Sequence, residues 1–208
     1  MKKVFSLLLV GLLSVVLIAG CTNKENVEID KEKAATEEEK NIEKTVEIDE
    51  NNEGKTEEDE EVKEGIFPGD KAYDFTLLDR EGNEISLSSL KGKVVFLNFW
   101  ASWCGPCRAE MPHMQKVHEE YNDEDVVILA VNVTAVEKNG IEDVNTYLDE
   151  NKFTFPVLYD KDGAVATQYR VGAFPTTYII NKEGIIVNFI TGAMSDERMK
   201  AQIEAAKE

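Results

Sequence analysis

The sequence predicts an α/β domain with a mixed central sheet over residues 67–208. Two short, nearly continuous apolar runs, Val94 to Phe99 and Val126 to Val133, have the length and composition of strands covered on both faces. Each run is followed by a segment whose apolar residues recur at helical spacing. A hairpin pattern and one more helix close the chain, and the order strand, helix, strand, helix, hairpin, helix is that of a layered α/β fold.

The elements follow in order. Met1-Lys2-Lys3 is a basic start, Val4 to Ile18 is almost wholly apolar, and Ala19-Gly20-Cys21 ends the run with small residues and a cysteine. These are the three parts of a signal peptide, assigned to residues 1–20. The apolar run falls short of the roughly 20 residues that a spanning helix needs. Residues 21–66 are rich in Glu and Lys and show no apolar period, so they read as a disordered acidic linker with a reach of about 35 to 40 Å. An exposed helix with Glu–Lys pairs, around Lys31 to Lys44, is the alternative.

Order is expected from about Ile66-Phe67-Pro68-Gly69-Asp70. Phe75 and Leu77, then Ile85 and Leu87, alternate with polar residues about Asp79-Arg80-Glu81-Gly82-Asn83, which predicts an N-terminal β-hairpin laid against the main sheet. Ser88-Ser89-Leu90-Lys91-Gly92 is a turn into the first buried strand. A helix then runs from the Cys-x-x-Cys pair to about Tyr121 and contains Pro112, which lacks the N–H needed by the carbonyl of Arg108. After the second buried strand, Val136 to Asn151 reads as a helix with Ile141, Val144 and Leu148 on one face. Phe155 to Tyr159 is a short strand and Ala164 to Tyr169 a short helix. Thr176 to Ile180 and Ile185 to Thr191 form a hairpin about Asn181-Lys182-Glu183-Gly184. The last helix starts at Ser195 as N-cap, with Asp196 and Glu197 in its first turn and Met199 and Ile203 facing inward.

Charge narrows the possible partners. The chain carries a net charge of -18, and residues 22–66 alone hold 18 acidic against 7 basic side chains. Such a balance excludes nucleic acid as a partner, because that binding is driven by Lys and Arg neutralising phosphates. It also excludes charge-driven binding to anionic lipid. Of the 3 cysteines, Cys21 follows the apolar run and the other two form one pair, so no disulfide framework staples the domain.

That pair is Cys104-Gly105-Pro106-Cys107, placed where a buried strand meets a helix. Free N–H groups and the positive end of the helix dipole favour a thiolate on Cys104, the candidate attacking thiol, which the chemistry expects to be exposed. Cys107, one turn in and facing the sheet, is the candidate resolving thiol. Glu110 lies three residues further, about 60° round the helix, so its carboxylate could approach Cys107. Spacing alone leaves Glu110 between a proton acceptor and a solvated surface residue. Zinc is the other meaning of Cys-x-x-Cys, with His113 and His118 as partners. His113 lies about 120° from Cys107, so the four groups do not converge; no metal is expected, and both histidines read as exposed helix residues.

Trp103-Cys104-Gly105-Pro106-Cys107 resembles the thioredoxin active site, and Phe174-Pro175-Thr176 resembles the cis-proline loop that faces it. Phe96-Leu97-Asn98-Phe99-Trp100, the run Glu110-Met111-Pro112, the early hairpin and the added strand and helix between about 140 and 170 make the chain similar to TlpA- and ResA-like thiol-disulfide oxidoreductases. The tetrad Ile18-Ala19-Gly20-Cys21 resembles the lipobox of bacterial lipoproteins, which implies acylation of Cys21 as a lipid anchor. The resemblance implies a thioredoxin-like three-layer fold, with a mixed central sheet, an N-terminal β-hairpin and a central strand-helix insertion. It matches Cys104 to the nucleophile, Cys107 to the resolving thiol, Glu110 to the acidic residue near the site, and Pro175 to the cis-proline. Phe174 would then offer its backbone to an extended substrate and Trp103 would flank the site. Thioredoxins carry a buried aspartate where this chain has Asn98. ResA-like proteins can have Glu where Gly105 stands.

The implied function is that of an extracytoplasmic, membrane-tethered protein disulfide reductase, with apocytochrome c as the substrate in the ResA-like case. It needs no cofactor beyond the Cys104-Cys107 disulfide. Its partners are protein disulfides and a membrane electron donor of the CcdA/DsbD type, and the domain is expected to be a monomer. A disulfide-donating oxidase, a peroxiredoxin-like thiol peroxidase and a redox-inert binding domain are the alternatives.

Overall fold

The computed structural model describes residues 62–121 and 125–208. The expected signal peptide, Cys21 and the linker up to residue 61 lie outside the described residues.

Structure begins with two short strands, β1 (Glu64–Gly65) and β2 (Lys71–Ala72), paired in parallel as a separate ladder. A Cβ on Gly65 would meet the Asp70 carboxylate at 2.1 Å, so a larger residue there would have to displace that side chain. The main sheet has seven strands: β3 (Thr76–Asp79), β4 (Glu84–Ser86), β5 (Val94–Trp100), β6 (Val126–Asn132), β7 (Val157–Tyr159), β8 (Thr176–Ile180) and β9 (Ile186–Thr191). Their spatial order is β4-β3-β7-β6-β5-β8-β9. β5, β6 and β7 are parallel, while β8, β9, β3 and β4 run antiparallel to their neighbours.

β5 is an interior strand between β6 and β8 because it is apolar apart from Asn98, and all seven of its residues are buried. Alternation splits it between two cores. Val94, Phe96 and Trp100 pack with Met111, Met114 and Val117 of α1 (Gly105–Tyr121), with Val144 and Leu148 of α2 (Ile141–Asn151), and with Met199 and Ile203 of α4 (Asp196–Ala205). Val95, Leu97 and Phe99 face Val165 and Ala166 of α3 (Ala164–Gln168), together with Tyr169 and the N-terminal residues Ala72, Phe75 and Leu87. The result is the expected three-layer fold. Asn98 shares the parity of Phe96 and so points toward α1.

The hairpin differs from expectation. β3 pairs with β7 through Leu78–Tyr159 and Asp79–Leu158, so the hairpin extends the sheet rather than lying against it. The free backbone edge of β7 is satisfied in this way. The helix expected from Val136 begins at Ile141, because Thr134–Val136 is a single 3-10 turn and Gly140 takes φ 64°, ψ -138°. In the turn before it, Ala135 N–H donates to the carbonyl of Asp160 (3.3 Å), which holds this stretch against the end of β7. α1 runs through Pro112. The α4 cap is as expected, with Ser195 Oγ accepting from the N–H of Arg198 at 3.4 Å. Among the described residues no helix is long and apolar enough to cross a membrane.

Candidate active site

β5 and α1 place the cysteines. After Trp100 the chain turns, and the carbonyl of Cys104 accepts the first helical bond, from Arg108 N–H at 3.0 Å. Cys104 is therefore the residue that caps α1. Pro106 suits the first turn, where its missing N–H would have had no helical partner. A Cβ on Gly105 would meet nothing within 4 Å, so packing does not dictate glycine at this position.

Cys104 and Cys107 are joined as a disulfide with Cα atoms 5.3 Å apart. The N–H of Cys107 donates to Cys104 Sγ at 3.2 Å. On reduction the same N–H and the helix dipole favour a thiolate on Cys104, and no acidic residue in the first turn opposes it. The expectation of an exposed attacking cysteine is corrected: Cys104 is 5% exposed and Cys107 1%. Trp103, Gly105, Pro106, Val136 and the 171–174 loop wall a shallow apolar groove onto which Cys104 opens. Approach to the sulfur is along this groove.

The opposite wall comes from the loop before β8, where the Phe174–Pro175 peptide bond is cis, as expected. Trp103, 59% exposed, stands edge-on to Phe174 with ring centroids 6.1 Å apart. Its indole N–H donates to the carbonyl of Val136 at 3.0 Å.

Glu110 is buried, not a solvated surface residue. One carboxylate oxygen accepts from Met194 N–H at 2.9 Å, the other from Asn98 Nδ2 at 3.1 Å. Asn98 Nδ2 also donates to Thr177 Oγ1 at 2.9 Å. Burial pushes the Glu110 pKa up from 4.5 to about 7, against the lowering effect of the Met194 N–H, the Asn98 amide and nearby His113. Near neutral pH this carboxyl can either hold or accept a proton. In the disulfide form no hydrogen bond joins it to Cys107 among the described residues.

The histidines are half-buried rather than exposed. His113 Nδ1 lies 2.8 Å from Asp196 at the start of α4. His118 stands edge-on to Phe155, and burial lowers its pKa. Among the described residues no three or more His, Cys, Asp or Glu side chains are placed to hold a metal ion.

Sequence reasoning missed a second polar cluster beside the cysteines. Glu137 is buried and accepts from Ser102 N–H and Ser102 Oγ, both at 2.6 Å, and from Asn132 Nδ2 at 2.8 Å. The only signal was Asn132, a polar residue at the end of an apolar strand.

A vicinal cysteine pair capping a helix, opposite a cis-proline loop on this sheet, carries out thiol–disulfide exchange, and the protein is a thioredoxin-like thiol-disulfide oxidoreductase. The chain belongs to the AhpC/TSA family, whose profile matches residues 68–189. It is similar to the thioredoxin-like protein YneN of Bacillus subtilis, with 42% identity over 140 residues, covering 67% of this chain and 81% of that one. It is also similar to the thiol-disulfide oxidoreductase ResA of Geobacillus thermodenitrificans, with 41% identity over 145 residues, covering 70% and 81%. Among solved structures it resembles the pneumococcal exposed lipoprotein thioredoxin Etrx1 of Streptococcus pneumoniae, at 31% identity and a TM-score of 0.58, covering 64% of this chain and 99% of that one.

Proposed function

We propose that the protein is an extracytoplasmic, membrane-tethered reductase of protein disulfides. The observation that carries this reading is the groove that leads past Trp103 and Phe174 to the Cys104–Cys107 disulfide. No hydrogen bond engages the backbone N–H or C=O of Phe174 among the described residues, which leaves both for an extended peptide. Pro175 holds that backbone in place. Apolar walls suit an unfolded or extended substrate better than a small polar disulfide.

In the reaction, the Cys104 thiolate attacks one sulfur of a substrate disulfide, forming a mixed disulfide and releasing the other sulfur as a thiolate that takes a proton. Cys107 then gives its proton to Glu110 and attacks Cys104 Sγ. The second substrate sulfur leaves as a thiolate and takes the proton from Glu110, so the substrate is released as a dithiol and the Cys104–Cys107 bond has taken up the oxidation. Two electrons and two protons from a membrane donor of the CcdA/DsbD type restore the dithiol, with no further cofactor. Acylated Cys21 would supply the tether, in keeping with a relative named as an exposed lipoprotein. Cytochrome c apoprotein is the substrate proposed from the ResA likeness.

The test is reduction of insulin disulfides by the described domain with dithiothreitol, together with capture by the Cys107→Ala variant. Catalysed reduction and a stable mixed disulfide through Cys104 are expected. Absence of both, or efficient turnover of hydrogen peroxide in their place, contradicts the reading.

A further inference from the structure

Thiol–disulfide exchange is assigned to the cysteines and their immediate neighbours, yet the two residues that lead into Cys104 are held by neither α1 nor β5. Ser102 is bound twice, by N–H and by hydroxyl, to the carboxylate of Glu137. Trp103 is bound through its indole N–H to the carbonyl of Val136. Both anchors sit on one short stretch between β6 and α2, 33 to 35 residues away in sequence.

That stretch is itself fixed. Asn132 ends β6 opposite Trp100 and donates to the same Glu137 oxygen that accepts from Ser102 N–H. Thr134 Oγ1 donates to Asn132 Oδ1 at 3.0 Å, and Val133 N–H donates to the carbonyl of Trp100 at 3.0 Å. A carboxylate with three donors is satisfied where it lies, and a buried one bereft of them would be costly. The three bonds together tie Glu137 to Ser102 and to the end of β6. Val136 and Trp103 meanwhile line the groove on its Cys104 side.

We infer that Glu137 is a positioning residue for thiol–disulfide exchange: by clamping Ser102 it sets the Trp103–Cys104 segment and with it one wall of the peptide groove. The inference rests on the reading of that groove as a binding site for an extended peptide. It makes a distinction that a purely structural role does not. Misplacing the wall weakens capture of a peptide disulfide, whereas a small disulfide that needs no groove still reaches the sulfur.

Glutamine can preserve the clamp. Its Oε1 can take the bonds from Ser102 N–H and Asn132 Nδ2, while its Nε2 donates to Ser102 Oγ, the hydroxyl reversing its role. Alanine removes all three bonds. Ser102→Ala removes only the hydroxyl bond and leaves the amide one.

The experiment compares wild type, Glu137→Gln, Glu137→Ala and Ser102→Ala. It uses a disulfide-bonded peptide and oxidised glutathione as substrates, with hydrogen exchange at the Ser102 amide as a readout separate from activity. Glu137→Ala should raise KM for the peptide by about tenfold or more, with kcat and glutathione reduction close to wild type and the Ser102 amide deprotected. Ser102→Ala should fall between, and Glu137→Gln should match wild type in both readouts. An unchanged peptide KM in Glu137→Ala overturns the inference, as does equal loss on both substrates, or a glutamine variant as impaired as alanine. A wild type that cannot reduce the peptide overturns the groove reading itself, and the clamp's role falls with it.

Discussion

Replacing Glu110 with glutamine isolates a buried carboxyl beside the cysteines whose protonation should be felt by the whole fold. Its pKa is 4.5 in an ordinary setting and about 7 here, raised by burial. The folded protein therefore holds this proton more tightly than the unfolded chain does. Stability from it is full below about pH 4.5 and is lost as pH rises through 7. At about 1.36 kcal/mol per pH unit, the loss amounts to about 3 kcal/mol. The glutamine variant has no such proton. It keeps an oxygen for Met194 N–H but turns a donor toward Asn98 Nδ2, a penalty that does not vary with pH.

Urea unfolding of both proteins in the disulfide form, from pH 4.5 to 8, should thus give curves that diverge. The variant gains about 3 kcal/mol relative to wild type by pH 7.5, wherever its curve starts. Other shifted groups, Asp160 with its pKa raised by burial and His118 with its pKa lowered, titrate in both proteins and cancel in the difference. Parallel curves would mean that Glu110 is not a buried group titrating near neutrality.

Two further substitutions probe the surroundings. Asn98→Ala removes an N–H that favours the ionised Glu110, so the pH at which wild-type stability levels off should move upward; the same urea series checks it. Tyr169 is buried against β5, and its hydroxyl donates to the carbonyl of Tyr73 at 2.5 Å, tying the N-terminal segment to the end of α3. Tyr169→Phe should cost about 1 to 3 kcal/mol by leaving that carbonyl unmatched, seen as a lower urea midpoint with an unchanged slope.

What the sequence revealed was what local pattern controls. A short, nearly continuous apolar run rich in β-branched and aromatic residues fits a strand covered on both faces, and β5 is one. Two cysteines three apart before helical periodicity can only meet at a helix start, and they do. Glu110 was legible as a neighbour of Cys107 because helix spacing fixes its direction, while its burial was not, because that depends on Met194 from a loop 84 residues away. The same limit hid Glu137. It falls in the first turn of the helix expected from Val136, where an acidic residue needs no tertiary partner, and its partner Ser102 is 35 residues distant. The hairpin is legible as a hairpin but its place in the sheet is not, since strand pairing at a sheet edge is decided by which backbone edge is left open. Exposure is expected of Cys104 because the chemistry needs access, but access runs along a groove whose far wall comes from the 171–174 loop.

The proposed role of the Cys104–Cys107 pair as a reductant turns on its midpoint potential, measured by equilibration of the domain with a glutathione or dithiothreitol couple. A value near that of thioredoxin, about -270 mV, or lower is expected. A value near that of DsbA, about -120 mV, would make the protein a disulfide donor and contradict that role.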